Sequence, residues 1–158
     1  MAQQSLSSGA FIRPYSAGSV RIDYFPESTG QSFVVGEPVI YDAAVATAGH
    51  RITIAAGDPT LILGFAAQNA SSVQDTQIGV WMAEAGAEFW GRLNVAAVST
   101  YAGRRTGIVD VSSASIWALD PAETTVNCLW ITKFLDPIGD TNNAVVFTVN
   151  AGYRQGYV

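Results

Sequence analysis

The sequence predicts an all-β protein: a small β-barrel or β-sandwich with an extended N-terminal arm and few or short helices. Three observations carry this. Apolar and polar residues alternate with a period of two over several segments, most regularly from Glu88 to Val95. Such segments recur about every 8 to 12 residues, with Gly, Pro, Asn and Asp turn signals between them. No stretch holds a helical period through three turns.

Taken in order, residues 1–17 are rich in Ser, Gln, Ala and Gly and show no period. They read as an extended arm, ordered only when something binds it. Residues 18–158 then form one domain. Val20, Ile22 and Tyr24 alternate with Arg21, Asp23 and Phe25, a strand ended by Pro26 and Gly30. Phe33–Val35 and Val39–Tyr41 flank Gly36-Glu37-Pro38; a proline cannot donate to a ladder, so this is two short strands around a bend, or one bulged edge strand. His50–Ile54 alternates, and Gly57-Asp58-Pro59 is a turn. Leu61, Leu63 and Phe65 share a face, and residues 68–76 are a polar loop.

Ile78, Val80 and Met82 form the next strand, followed after a turn by Phe89, Gly91, Leu93 and Val95 on one face with Glu88, Trp90 and Arg92 on the other. Ile108–Val111 is a short strand, and 112–123 fits either a helical turn or a short strand. Asn127–Asp136 is the longest candidate. Cys128, Trp130, Thr132 and Phe134 face one way, and Leu129, Ile131, Lys133 and Leu135 the other. With both faces largely apolar, this strand is expected at the centre of a sheet or at a subunit interface, with Trp130 in the core and Leu129 and Ile131 at the interface. Asn143–Asn150 is the last strand.

Composition narrows the function. Eight Lys and Arg against thirteen Asp and Glu give a formal net charge of −5, with no basic run. That argues against nucleic-acid binding, which needs clustered cations. No stretch approaches the roughly 18 apolar residues of a membrane-spanning helix, and MAQQSLSSGAFIRPYS lacks the apolar run of a secretory signal. Charged residues are only 13% of the chain, about half the usual ~25%. Such a sparsely charged surface points to coverage by other chains, hence to an oligomer.

Candidate chemistry is thin. His50 is the one histidine and Cys128 the one cysteine, so multi-His or multi-Cys metal sites and an internal disulfide are excluded. His50 has no G-x-S-x-G elbow to serve, and Cys128 has no basic neighbour on its own face to activate it. Glu84 and Glu88 flank a turn and could meet across a hairpin as a glycosidase pair, but that chemistry requires a fixed carboxylate spacing, and turn carboxylates are commonly just solvated. Asp136, Asp140, Asn142 and Asn143 do not match a calcium loop. The sequence thus predicts no catalytic residue, cofactor or metal. Trp90 beside Arg92, on an otherwise polar strand face, is the combination expected at a protein–protein hot spot.

The order of segments resembles the head decoration, or cement, proteins of tailed bacteriophages. The resemblance rests on the Ser/Gly-rich arm, SFVVGEPVIYDAA, ILGFAAQNAS leading into IGVWMAEAGAEFWGRL, GIVDVSS, KFLDP and NNAVVFTVN, and covers most of residues 18–150. It implies a small β-rich structural protein, commonly trimeric, on the outer surface of the capsid head. There it would stabilise contacts between major capsid subunits, without enzymatic activity or cofactor. On that reading the arm docks on the capsid through Phe11, Ile12, Pro14 and Tyr15, by strand addition and pocket filling, and Trp90, Arg92, Leu129 and Ile131 form the oligomer or protein interface. Two alternatives share the composition: a phage tail or neck structural protein, which would form rings or tubes, and a carbohydrate-binding β-sandwich, which would expose aromatics in one groove.

Overall fold

The computed structural model describes residues 12–16, 18–42, 50–112 and 116–155. Of the described residues, 43% are strand. Eleven are found among the described residues, in chain order β1 (Arg13–Pro14), β2 (Ile22–Pro26), β3 (Pro38–Tyr41), β4 (Ile52–Ile54), β5 (Gly64–Ala66), β6 (Gln77–Met82), β7 (Phe89–Arg92), β8 (Arg105–Ser112), β9 (Ile116–Asp120), β10 (Leu129–Phe134) and β11 (Ala144–Val149). The only helical pieces described are two 3₁₀ turns of three residues, Ser99–Tyr101 and Ala151–Tyr153.

The strands form two curled antiparallel sheets, as a barrel or sandwich requires. The six-stranded sheet runs β1-β7-β11-β10-β8-β9, and the five-stranded sheet β2-β6-β5-β3-β4. Each curls back towards its own start. A parallel bridge between Leu93 and Leu119 returns β9 to the end of β7, and one between Glu27 and Ile52 returns β4 to the end of β2. The bridges shorten the free edges, which would otherwise invite pairing with foreign strands.

Alternation writes the sheets directly. In β7, Phe89 and Gly91 point inward while Trp90 and Arg92 are half-buried outside. Gly91 faces the core: a Cβ there would lie 3.0 Å from a Leu119 methyl and 3.3 Å from both Ile12 and Phe147. Pro38 opens β3, the position where a missing N–H costs least. Residues 33–35 are not a strand, because the chain turns at Gly36 with a positive φ of 90°. The ambiguous stretch after Ser112 resolves as β9, which forms a hairpin with β8.

The two sheets share a core. Phe65 of β5 packs against Phe89 and Phe147 of the other sheet, with ring centroids 4.7 and 5.9 Å apart. Aromatic pairs of this kind contribute about 0.5–1.5 kcal/mol beyond their buried area. Buried carboxylates tie the rest. Glu37 accepts the Trp117 indole N–H at 2.8 Å and the Val34 N–H at 2.7 Å, linking the sheets. Glu27 accepts from the Ser71 N–H and hydroxyl, which anchors the polar loop 68–76.

The structure corrects the boundary at residue 17. Ile12 is only 1% exposed and belongs to the main core. β1 pairs with β7, Arg13 opposite Trp90 and Pro14 opposite Phe89. The domain therefore includes Ile12–Ser16, and the arm extends no further than Phe11. The cause is local: an isolated Ile-Arg-Pro is too short to show a period, yet it caps a sheet edge where a proline is tolerated.

A candidate interaction surface

The outer face of the six-stranded sheet gathers the polar-side residues of five strands. One row runs Arg13, Trp90, Val146, Lys133 across β1, β7, β11 and β10. A second sets Trp130 between Thr148 and Arg105. β10 alternates as expected until a bulge between Ile131 and Lys133. The bulge inserts Thr132 and returns Lys133 to the outer side, so Trp130, Thr132 and Lys133 are all exposed.

Cations here lie on rings. The Lys133 ammonium sits 4.1 Å from the centroid of the Tyr15 ring, and the Arg105 guanidinium 6.0 Å from that of Trp130. Lys133 thus reaches from β10 over β11 and β7, and Val146 beneath it is fully buried although it faces outward. Among the described residues neither Arg105 nor Lys133 has a carboxylate within ion-pair distance. Arg92 differs: it donates to the Asn142 carbonyl at 3.1 Å and lies 3.5 Å from Asp136. Arg13, Arg92, Arg105 and Lys133 place half of the chain's eight cations on this face. The carboxylates there are Glu88, Asp136, Asp120, which faces Gly107 across the β8–β9 ladder, and Glu123, packed against Gly107 at the rim. Tyr15 and Trp130 are each 39% exposed.

The residues expected at interfaces divide. Trp90 and Arg92 do lie on this surface, half-buried. Leu129 and Ile131 do not: both are completely buried, against Phe147 and Val149 across the ladder. Trp130, expected in the core, is outside. The faces of β10 are thus the reverse of the expectation: with two apolar faces only Thr132 and Lys133 mark a polar side, and the bulge puts those two on the same one. Of the expected arm contacts, Tyr15 is on this surface, Pro14 is half-buried in β1, Ile12 is in the core, and Phe11 lies outside the described residues.

Elsewhere, His50 is exposed with its ring 5.2 Å from that of Tyr41. Glu84 pairs with Arg21, which also pairs with Asp23. Cys128 is buried, and burial pushes its thiol up to about 12. Asp136 accepts the Ala144 N–H at 2.9 Å, and Asn143 donates to the carbonyls of Asp136 and Pro137, which closes the loop, while the buried Asp140 Oδ1 and Asn143 Oδ1 have no hydrogen-bond partner among the described residues. No helix among the described residues is long and apolar enough to cross a membrane. No family model matches the chain, and no curated protein or solved structure matches it.

Proposed function

We propose that this chain is a structural virion protein that binds the outer surface of a phage capsid and stabilises contacts between major capsid subunits, acting as a homotrimer and by binding rather than catalysis. The observation that supports it best is the outer face of the six-stranded sheet, where Tyr15, Trp90 and Trp130 are interleaved with Arg13, Arg105 and Lys133. Tyr, Trp and Arg are the residues enriched at protein-interface hot spots. In this reading residues 1–11 supply a second contact, and three copies of each contact act together, so that weak single contacts give firm attachment.

The test is co-sedimentation with heads that lack the protein. The full chain binds, and a chain without residues 2–10 keeps its thermal melt, because Ile12 and β1 remain, but binds heads at least about tenfold more weakly through lost avidity. Absence of binding by the full chain sinks the proposal. The three aromatics on one face also favour a carbohydrate-binding reading. Retention on insoluble polysaccharide columns, with no binding to heads, would establish that reading instead.

A further inference from the structure

A cavity of about 200 Å³ opens beside β3. Ile40, Tyr41, Pro59 and Leu61 give it apolar walls, and Asp58 and Gln155 are among its polar lining. Its frame is fixed. Gln155 accepts the Tyr41 N–H at 2.7 Å and donates its own backbone N–H to the Ile62 carbonyl. Asp58 holds a left-handed φ of 51° in front of the rigid Pro59. The Asp58 carboxylate is exposed and has no ion-pair partner among the described residues. Leu61 at the mouth is 42% exposed.

The outer face of the six-stranded sheet carries the counterpart: an exposed indole, Trp130, with a guanidinium, Arg105, that has no carboxylate partner beside it. We propose that Trp130 of one copy inserts into this cavity on a second copy, bringing its Arg105 to the second copy's Asp58. Size and charge both select this occupant. An apolar cavity of roughly 150 Å³ already holds a benzene molecule, so this one is on the scale of an indole. Arg105 offers the cation that Asp58 lacks, and the pair becomes partly desolvated where it forms, so it is worth more than a solvated pair. The indole lies on β10 of the six-stranded sheet and the cavity beside β3 of the five-stranded sheet, so residue i of one copy meets residue j of another. It rests on the proposed function for self-association, and it gives Trp130 and Arg105 to the contact between copies, leaving Arg13, Tyr15 and Trp90 of the same face for the head, whose binding is measured separately.

Sedimentation equilibrium of the full chain over a range of concentrations tests it. The wild type self-associates, and more weakly at high salt. Trp130→Ala, which keeps the cavity but loses the indole, and Asp58→Arg, which keeps the indole but repels Arg105, each weaken association at least about tenfold. Both positions are exposed, so both variants keep the wild-type thermal melt to within a few degrees. The decisive arm mixes the two. The Asp58→Arg chain supplies the indole and the Trp130→Ala chain the cavity, so the mixture forms a two-copy complex that neither forms alone. A monomeric wild type, variants that associate normally, or a mixture without a hetero-complex each overturns the proposal. A wild type that associates only after removal of residues 156–158 also overturns it and gives the cavity to the chain's own tail. Co-sedimentation of the same two variants with heads tells this failure apart from failure of the capsid reading.

Discussion

Replacing Ile12 with Ala tests whether the chain just after the arm is part of the domain. Ile12 is 1% exposed and packs in the main core. The substitution removes three carbons. At about 0.8 kcal/mol for each buried methylene, the transfer loss is roughly 2.4 kcal/mol, and the unfilled space raises it to about 3 kcal/mol. For a chain of this length that lowers Tm by about 6–12 °C. Gly91→Ala gives an internal check. Its new methyl would sit 3.3 Å from Ile12 and Phe147 and 3.0 Å from Leu119, a crowding that costs about 1–3 kcal/mol. In the double variant that methyl enters the space Ile12 has left. The two losses should therefore fall short of additivity by at least about 0.5 kcal/mol. Urea unfolding of the four chains measures all of this. An Ile12→Ala loss below about 0.5 kcal/mol, the scale of a surface substitution, would refute the placement of Ile12, and strict additivity would refute its contact with Gly91.

Three further outcomes follow from buried groups. Trp117→Phe removes the indole donor from Glu37 and leaves a buried carboxylate oxygen without it, a loss of about 1–3 kcal/mol by urea unfolding. Gly64→Ala would place a methyl 2.2 Å from the Trp81 carbonyl oxygen, which is backbone and cannot rotate away; it should cost about 3 kcal/mol or more, read as a collapsed melt or insoluble expression. The Cys128 thiol, held neutral up to about pH 12, should resist iodoacetamide at pH 8 in the folded chain and react once urea unfolds it. Because the folded thiol binds its proton more tightly than the unfolded one, its contribution to stability is complete below the ordinary thiol value of 9.0 and is lost as pH rises from there towards 12.

Most of the sheet structure was legible because single-faced strands declare themselves. Phe89-Trp90-Gly91-Arg92 alternates in sequence and in burial alike. β11 was legible as a strand, though not its burial on both faces: Val146, on the outer side between Trp90 and Lys133 in the ladders, is as fully buried as Val145 and Phe147. What stayed hidden depended on partners distant in sequence. β1 is too short to carry a period and exists because β7 offers it an edge. The facing of β10 turns on one bulge, which a period-two reading cannot contain. The interaction surface was half legible: Trp90 and Arg92 stood out on a polar face, while Tyr15 and Lys133 meet only after the sheet is assembled. Nor could spacing reveal the Glu37–Trp117 bond, whose partners lie 80 residues apart.

The most direct measurement is a cryo-electron reconstruction of heads that lack this protein, after incubation with the purified chain. If the chain is a capsid-binding structural protein, density for the double-sheet domain covers the outer head surface at junctions between major capsid subunits, three copies to a site, with residues 1–11 laid against the capsid. Bare heads at saturating protein, or density confined to the tail or neck, would contradict it.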